Sequence, residues 1–228
     1  MNVVKLCYGG EAANTYILGE EGAPCVIVDL GDNRAHRVEN YCARHHAGIA
    51  GLFLTHGHYD HIAGLNDLED GFDAPVVIHM DDEPCLHDPH LNVSDDLFGV
   101  WFELKKNLAI YRCEDGDEMT VGAHKEKDEQ GNEITVGGYH INVLHTPFHT
   151  AGSCCFYLPE EKILFSGDTL FHLGIGRSDL PGAKPRLMDA SLRVLRNLPD
   201  DVVVYPGHGP KTTIGDEKRY NPYLMNLR

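Results

Sequence analysis

The sequence predicts one α/β domain, and three observations carry the prediction. Its 228 residues suffice for one well-packed domain and leave little room for a second, so residues 1–228 read as a single unit. Short apolar runs with strand character alternate with helical patterns. The polar residues that follow those runs gather at their C-terminal ends, where α/β sheets carry their sites.

From Val3 to Asp29 the pattern is a β meander of two or three strands, V-V-K-L-C-Y, N-T-Y-I-L and P-C-V-I-V-D, separated by glycine and proline punctuation. Asp29 ends the last of them. It reads either as a cap or turn former or as a residue that supports a metal ligand from behind. Residues 33–46 form an amphipathic helix pattern, with His36, His45 and His46 on its solvated side. Ile49 to Leu54 is the next strand, followed by T-H-G-H-Y-D-H, and Ile62 to Leu68 begins a helix. Pro75 to His79 is another strand. Residues 81–108 make a polar, proline-broken excursion with an apolar end that is either a short helix or an irregular cover. Two near-repeats, Asp117 to Gly122 and Asn132 to Gly137, read as two strands joined by a solvated hairpin tip. Strands follow at Tyr139 to Leu144, Cys154 to Leu158, Lys162 to Phe165 and Val202 to Tyr205, with a helix over Asp189 to Asn197.

Composition removes several function classes. Hydrophobic content of 42% with 24% charged residues fits an ordinary globular protein, and no apolar run is long enough to span a bilayer. The first residues lack the basic start and apolar core of a signal peptide, so a cytoplasmic protein is expected. Seven cysteines, an odd number with no C-x-x-C pair, predict buried reduced thiols rather than a disulfide framework. A formal charge of −16 opposes nucleic acid and anionic membrane as partners. Oligomeric state is not readable.

Fifteen histidines exceed what a surface needs, and spacing selects the few that matter. His56, His58, Asp60 and His61 crowd one strand end, and His149, Asp168 and His208 follow three later strands. Imidazole with carboxylate suits Zn²⁺, with Fe²⁺ or Mn²⁺ as alternatives, and the absence of cysteine points to an open, catalytic site. Seven ligands suit two ions. His56 and His58, two apart, are assigned with His149 to a first metal; Asp60, His61 and His208 are assigned to a second, and Asp168 to the bridge. Two ions about 3.5–4 Å apart would share a hydroxide deprotonated near neutral pH. Asp60 is the residue expected to act with it.

T-H-G-H-Y-D-H-I-A-G resembles the H-x-H-x-D-H signature of the metallo-β-lactamase fold superfamily, and His149, Asp168 and His208, with Asp29 ahead of them, match its remaining motifs in order. The resemblance covers essentially the whole chain. It implies an αββα sandwich of two mixed β-sheets flanked by helices, α/β or more broadly α+β, with a dinuclear site at one edge. Within the superfamily, F-S-G-D-T-L-F-H-L-G-I-G-R-S-D-L-P-G and P-G-H-G-P-K-T-T-I-G-D-E-K-R-Y-N-P-Y resemble the short bacterial glyoxalase II-like group, the hydroxyacylglutathione hydrolases. That implies hydrolysis of a small-molecule thioester by a metal-bridging hydroxide. Arg177 falls where the family has a basic residue near the thiol portion of the substrate, or else makes an ordinary salt bridge. Phe148 replaces the usual glycine before the ligand histidine, which predicts a bulkier pocket wall or a loop that bends differently. Ser178 and Asp179 stand in place of an aromatic, Gly209 replaces a glutamate, and the remaining tail is too short for the helical glutathione-binding domain of full-length enzymes. A similar family, the mononuclear iron persulfide dioxygenases, carries G-C-G-R-T-D-F where this chain has G-I-G-R-S-D-L, and gives the alternative activity.

Overall fold

The computed structural model describes residues 2–6, 12–127 and 133–227. In chain order the strands are β1 (Asn2–Leu6), β2 (Thr15–Gly19), β3 (Cys25–Val28), β4 (Ile49–Phe53), β5 (Val76–His79), β6 (Ile110–Cys113), β7 (Glu118–Val121), β8 (His124–Lys127), β9 (Glu133–Val136), β10 (Tyr139–His145), β11 (Cys154–Leu158), β12 (Ile163–Gly167), β13 (Val203–Pro206) and β14 (Thr212–Thr213). The helices are α1 (Ala35–His45), α2 (Tyr59–Ile62), α3 (Ser94–Phe98), α4 (Met188–Arg196), α5 (Ile214–Tyr220) and α6 (Pro222–Met225). One sheet runs β1-β2-β3-β4-β5-β6 and a second runs β14-β13-β12-β11-β10-β7. Both are mixed: β3 to β6 are mutually parallel, as are β12 and β13, and the other pairings are antiparallel.

Side chains alternate across a pleated strand, and here that alternation sorts the apolar residues into three layers. Tyr16, Leu18, Val26, Val28, Phe53 and Val77 of the first sheet meet Ile141, Val143, Phe156, Leu158 and Phe165 of the second. Their neighbours Ile17, Ile27, Leu52, Val76 and Ile78 face the other way, onto Ala35, Val38 and Cys42 of α1. Cys155, Leu164 and Val204 face outward from the second sheet onto Leu192, Leu195, Ile214 and Leu224 of the C-terminal helices. Each large side chain so buried contributes about 1.5–3 kcal/mol. The result is an αββα sandwich.

The strands and helices that the sequence pattern placed fall close to their expected bounds, but β6, β8, β14, α5 and α6 were not foreseen, and three placed segments differ. The near-repeats do not pair with each other. Glu118–Val121 joins the second sheet beside Tyr139–Asn142, placing Met119 and Val121 on the middle core, whereas Glu133–Val136 pairs with His124–Lys127 in a separate hairpin. Register against Ile141 decides this, and the local repeat carries no such information. The expected tip, residues 128–132, lies outside the described residues. The helix expected from Ile62 starts earlier, at Tyr59, and continues as a 3-10 helix over Ala63–Asp67. The excursion holds a 3-10 turn at Glu83–Leu86 and α3, after which an irregular segment brings Phe102 onto the first core. Six cysteines are buried free thiols, and Cys7 lies outside the described residues.

Candidate metal centre

The C-terminal ends of β3, β4 and β5 in one sheet and of β10, β12 and β13 in the other open at the same edge of the sandwich. Each is followed by a polar loop, and those loops bring His56, His58, Asp60, His61, His149, Asp168 and His208 together. Three sets of ligand atoms lie within 4.8 Å of one another: His56, His58 and His149; His56, His61 and Asp168; and Asp60, His61 and His208. Asp168 stands between the halves, with Oδ1 3.3 Å from His61 Nε2 and Oδ2 3.5 Å from His149 Nε2. His208 Nε2 is 3.0 Å from Asp60 Oδ2.

Hydrogen bonds fix the faces these imidazoles present. His149 Nδ1 donates to the Arg177 carbonyl at 2.7 Å and His61 Nδ1 donates to Asp29 Oδ2 at 2.8 Å, and neither acceptor can donate in return. The Thr55 hydroxyl gives its single proton to Asp29, 2.9 Å from Oδ2, so its oxygen accepts from His56 Nδ1 at 3.2 Å. In all three rings Nδ1 is thus the donor, and Nε2 is the atom turned toward the centre. The Nε2 atoms of His56, His58, His61 and His149 and Oδ1 of Asp168 are buried with no hydrogen-bond partner. Orphaned polar atoms are costly in a protein interior, and five converging on one point fit divalent cations. Asp29 therefore stands behind the ligands, where its carboxylate also accepts from the Thr55 amide at 2.8 Å.

The two halves differ electrostatically. Burial, reinforced by neighbouring imidazoles, keeps His56 neutral and pushes His58 down to about 3. Burial acts the same way on His61, but the Asp29, Asp168 and Asp60 carboxylates outweigh it and hold this ring well above the ordinary histidine value. Burial is likewise overcome at His208, by its bond to Asp60 and by Asp168, and at Asp168, which the surrounding imidazoles hold below the usual carboxylate range. His56 and His58 are thus neutral and ready for a cation, whereas His61 and His208 hold positive charge that a metal would displace.

Sequence reasoning missed several contributors. Asn14 holds the loop bearing His208, donating Nδ2 to the Pro206 carbonyl at 2.9 Å and its backbone N–H to the Gly207 carbonyl at 2.7 Å. Gly207 is required by close approach: a Cβ there would lie 2.3 Å from Asp168 Oδ1 and 2.6 Å from His61 Cε1. Buried Asp82, in the polar excursion, accepts from the Gly57 and Gly152 amides. The P-G-H motif itself was the available signal for Gly207; nothing local marks Asn14 or Asp82.

Above the ligands lies a cleft of about 250 Å³, walled by Val93, Leu97 and Phe98 from the excursion and by Phe171 and Leu180. Val93 has φ +58°, a left-handed conformation that a β-branched residue rarely adopts. Asn92 and Ser94 hold it there through buried bonds, including Asn92 Nδ2 to the Cys85 carbonyl at 2.7 Å and the Ser94 amide to Asn92 Oδ1 at 3.1 Å. Strain of this kind gathers where a side chain must be aimed at a site. Arg177 also lines the cleft, but its guanidinium is bound at two points by Asp179, at 2.6 and 2.8 Å. Its backbone carbonyl is what touches the centre. Of the two alternatives the sequence left for Phe148, a wall of the cleft is not met, and its assignment to substrate binding is corrected. It is fully buried in the core beneath α4, because the loop turns its ring inward as it presents His149 to the site.

Residues 8–208 match the model of the Metallo-beta-lactamase superfamily, and the chain belongs to that superfamily. Among curated proteins it is similar to the "probable metallo-hydrolase" of Bacillus subtilis, 32% identical over 221 residues that cover 96% of each chain. It is also similar to a hydroxyacylglutathione hydrolase of Haemophilus influenzae, 29% identical over 225 residues and 98% of each chain. Among solved structures it resembles the B3 metallo-beta-lactamase BLEG-1, with a TM-score of 0.83, 32% identity, and 99% of this chain and all of that one covered. A protein crystallised in a di-iron-bound form gives a TM-score of 0.75 at 32% identity, covering 98% of this chain and all of that one. ETHE1 of Myxococcus xanthus gives 0.70 at 27% identity, covering 97% of this chain and 84% of that one. No helix among the described residues is long and apolar enough to cross a membrane.

Proposed function

We propose that this chain is a metal-dependent thioester hydrolase of the glyoxalase II type, acting in the cytoplasm on the thioester of a small thiol. The observation that carries the reading is the convergence of four buried imidazole Nε2 atoms and Asp168 Oδ1, without hydrogen-bond partners, beside an apolar cleft that His58, His149 and Asp168 line. Two divalent cations held by His56, His58 and His149 and by Asp60, His61 and His208, with Asp168 between them, would supply Lewis acidity and a water activated at neutral pH. Zn²⁺ is the expected ion, and the di-iron relative supports iron as an alternative.

The chain's own groups do the remainder. Val93, Leu97, Phe98, Phe171 and Leu180 hold the apolar part of the substrate and exclude bulk water. Asp60, a member of the second ligand set whose Oδ2 lies 3.0 Å from His208 Nε2, is the carboxylate we assign to hold the proton released as water adds to the thioester carbonyl. That proton leaves with the thiol as the C–S bond breaks, so water and thioester give a carboxylic acid and a thiol. The formal charge of −16 and the pairing of Arg177 with Asp179 support a substrate without a large anionic face.

The test is thioester turnover across several low-mass thiol conjugates, with metal content measured on the same sample. Turnover that tracks metal content is expected. The likeness to ETHE1 favours one second reading, a persulfide dioxygenase with a single iron, because that similarity also spans nearly the whole chain. One iron per chain, with oxygen uptake on a persulfide and no thioester turnover, would establish it and sink the hydrolase.

A further inference from the structure

Asp82 is 1% exposed, lies in the turn after β5, and directs its carboxylate hydrogen bonds to backbone amides and a hydroxyl rather than to a ligand side chain. Its Oδ1 accepts from the Gly152 amide at 2.6 Å, and its Oδ2 accepts from the Gly57 amide at 2.9 Å and from the Thr150 hydroxyl at 2.7 Å. Gly57 separates His56 from His58. Thr150 follows His149, and Gly152 closes the same turn. One buried carboxylate therefore spans the two loops that carry all three imidazoles of the first cluster, loops that leave different sheets after β4 and β10.

We propose that Asp82 is the positioning residue of the His56, His58 and His149 half of the centre, setting the separation of its two loops through their backbone. The inference rests on the reading of that cluster as a metal site. Burying a carboxylate costs several kcal/mol unless its oxygens are satisfied, and here both are, entirely by N–H and O–H donors. The fit is close on the loop side as well, since a Cβ on Gly152 would sit 2.6 Å from the Asp82 amide nitrogen and 2.7 Å from its Cβ. Thr150 is fixed in turn by Ser153, 2.6 Å between hydroxyl oxygens.

Asp82 is the counterpart of Asp29, with a different mode of action. Asp29 bonds His61 directly and His56 through Thr55, so it governs which nitrogen carries the proton. Asp82 reaches only amides and a hydroxyl, so it governs where the rings stand. An amide cannot replace it: Asp82→Asn would turn an NH₂ toward at least one of three donors and force the loops apart.

Co²⁺ titration of the metal-free chain tests this, followed by visible absorption and by competition with a chelator. For Asp82→Asn, affinity for one of the two equivalents is expected to fall about 10- to 100-fold, with an altered ligand-field spectrum for that equivalent and the other unchanged. kcat on a thioester should fall with KM unchanged. Thr150→Val removes one of the three bonds and should move the same equivalent in the same direction by less. Should Asp82→Asn fail to fold, as judged by far-UV circular dichroism, Thr150→Val decides alone. Wild-type affinity and spectrum for both equivalents in a folded variant would overturn the proposal. A wild-type chain that takes up no stoichiometric Co²⁺ would overturn the metal reading and this inference with it, a result visible before any variant is made.

Discussion

Asp29→Asn is the most informative single change at the centre. Asp29 has φ +57°, a left-handed conformation that asparagine tolerates about as well as aspartate, so the substitution leaves the backbone unstrained and alters only the chemistry. Both carboxylate oxygens face donors: Oδ1 takes the Thr55 amide at 2.8 Å, and Oδ2 takes His61 Nδ1 at 2.8 Å and the Thr55 hydroxyl at 2.9 Å. An amide satisfies only one side. If its oxygen stays on His61, the Thr55 amide is left buried and unpaired, at about 1–3 kcal/mol. If its oxygen turns to Thr55, the NH₂ forces the opposite tautomer on His61 and puts a proton on the nitrogen meant for the metal. The first arrangement costs folding stability; the second sets a proton against the metal, and a coupling of about 1–3 kcal/mol there weakens binding about 5- to 150-fold. Because Thr55 also carries His56, both metal equivalents should weaken, unlike the single equivalent expected for Asp82→Asn. Chelator competition against the wild type measures it, with thermal melting of the metal-free forms as the folding control. Affinities within twofold of wild type for both equivalents would refute the account of how Asp29 works.

Four further outcomes follow from the same geometry. Removing metal should lower the melting temperature by about 5–11 °C relative to protein at 100-fold the dissociation constant, since about 2.7 kcal/mol of linkage is lost and a chain this size shifts about 2–4 °C per kcal/mol; an unmoved melt would argue against a bound ion. Phe148→Ala should cost about 3–5 kcal/mol of stability, read by denaturant unfolding, and leave KM within twofold; a changed KM with little loss of stability would return Phe148 to the cleft. Gly207→Ala should fold yet bind metal at least about tenfold more weakly, as its Cβ meets Asp168 and His61; wild-type metal content in the purified variant would show that the loop can move aside. Glu39 has a buried Oε2 without a partner, and burial raises its carboxyl above the ordinary value of about 4.5. The folded state thus binds this proton more tightly than the unfolded chain, so there is no penalty at low pH and one that grows as pH rises through the raised value. Glu39→Gln should therefore gain stability relative to wild type as pH rises above about 4.5, and a constant difference in melting temperature over that rise would contradict it.

The sequence by itself determined the layered fold and the ligand chemistry. The αββα layering was implied by the resemblance of the motifs; strands such as β2 and β3 are apolar on both faces, so the structure decided which face meets the middle core. The ligand types are local: imidazoles and carboxylates at the ends of apolar strands are legible because the strand that ends there is legible. Tertiary structure alone decided what depends on which distant loops meet. The register of β7 against Ile141 separated two segments that look alike in sequence. The inward turn of the loop before His149 placed Phe148 in the core, and the pairing with Asp179 left Arg177 to act through its carbonyl. Asp82 sits among ordinary acidic residues in a broken, polar stretch, and only the approach of the β4 and β10 loops gives its two oxygens their three donors. Hydrogen bonds of that kind depend on distances of a few ångströms between residues up to 70 positions apart, which no local pattern of residue types encodes.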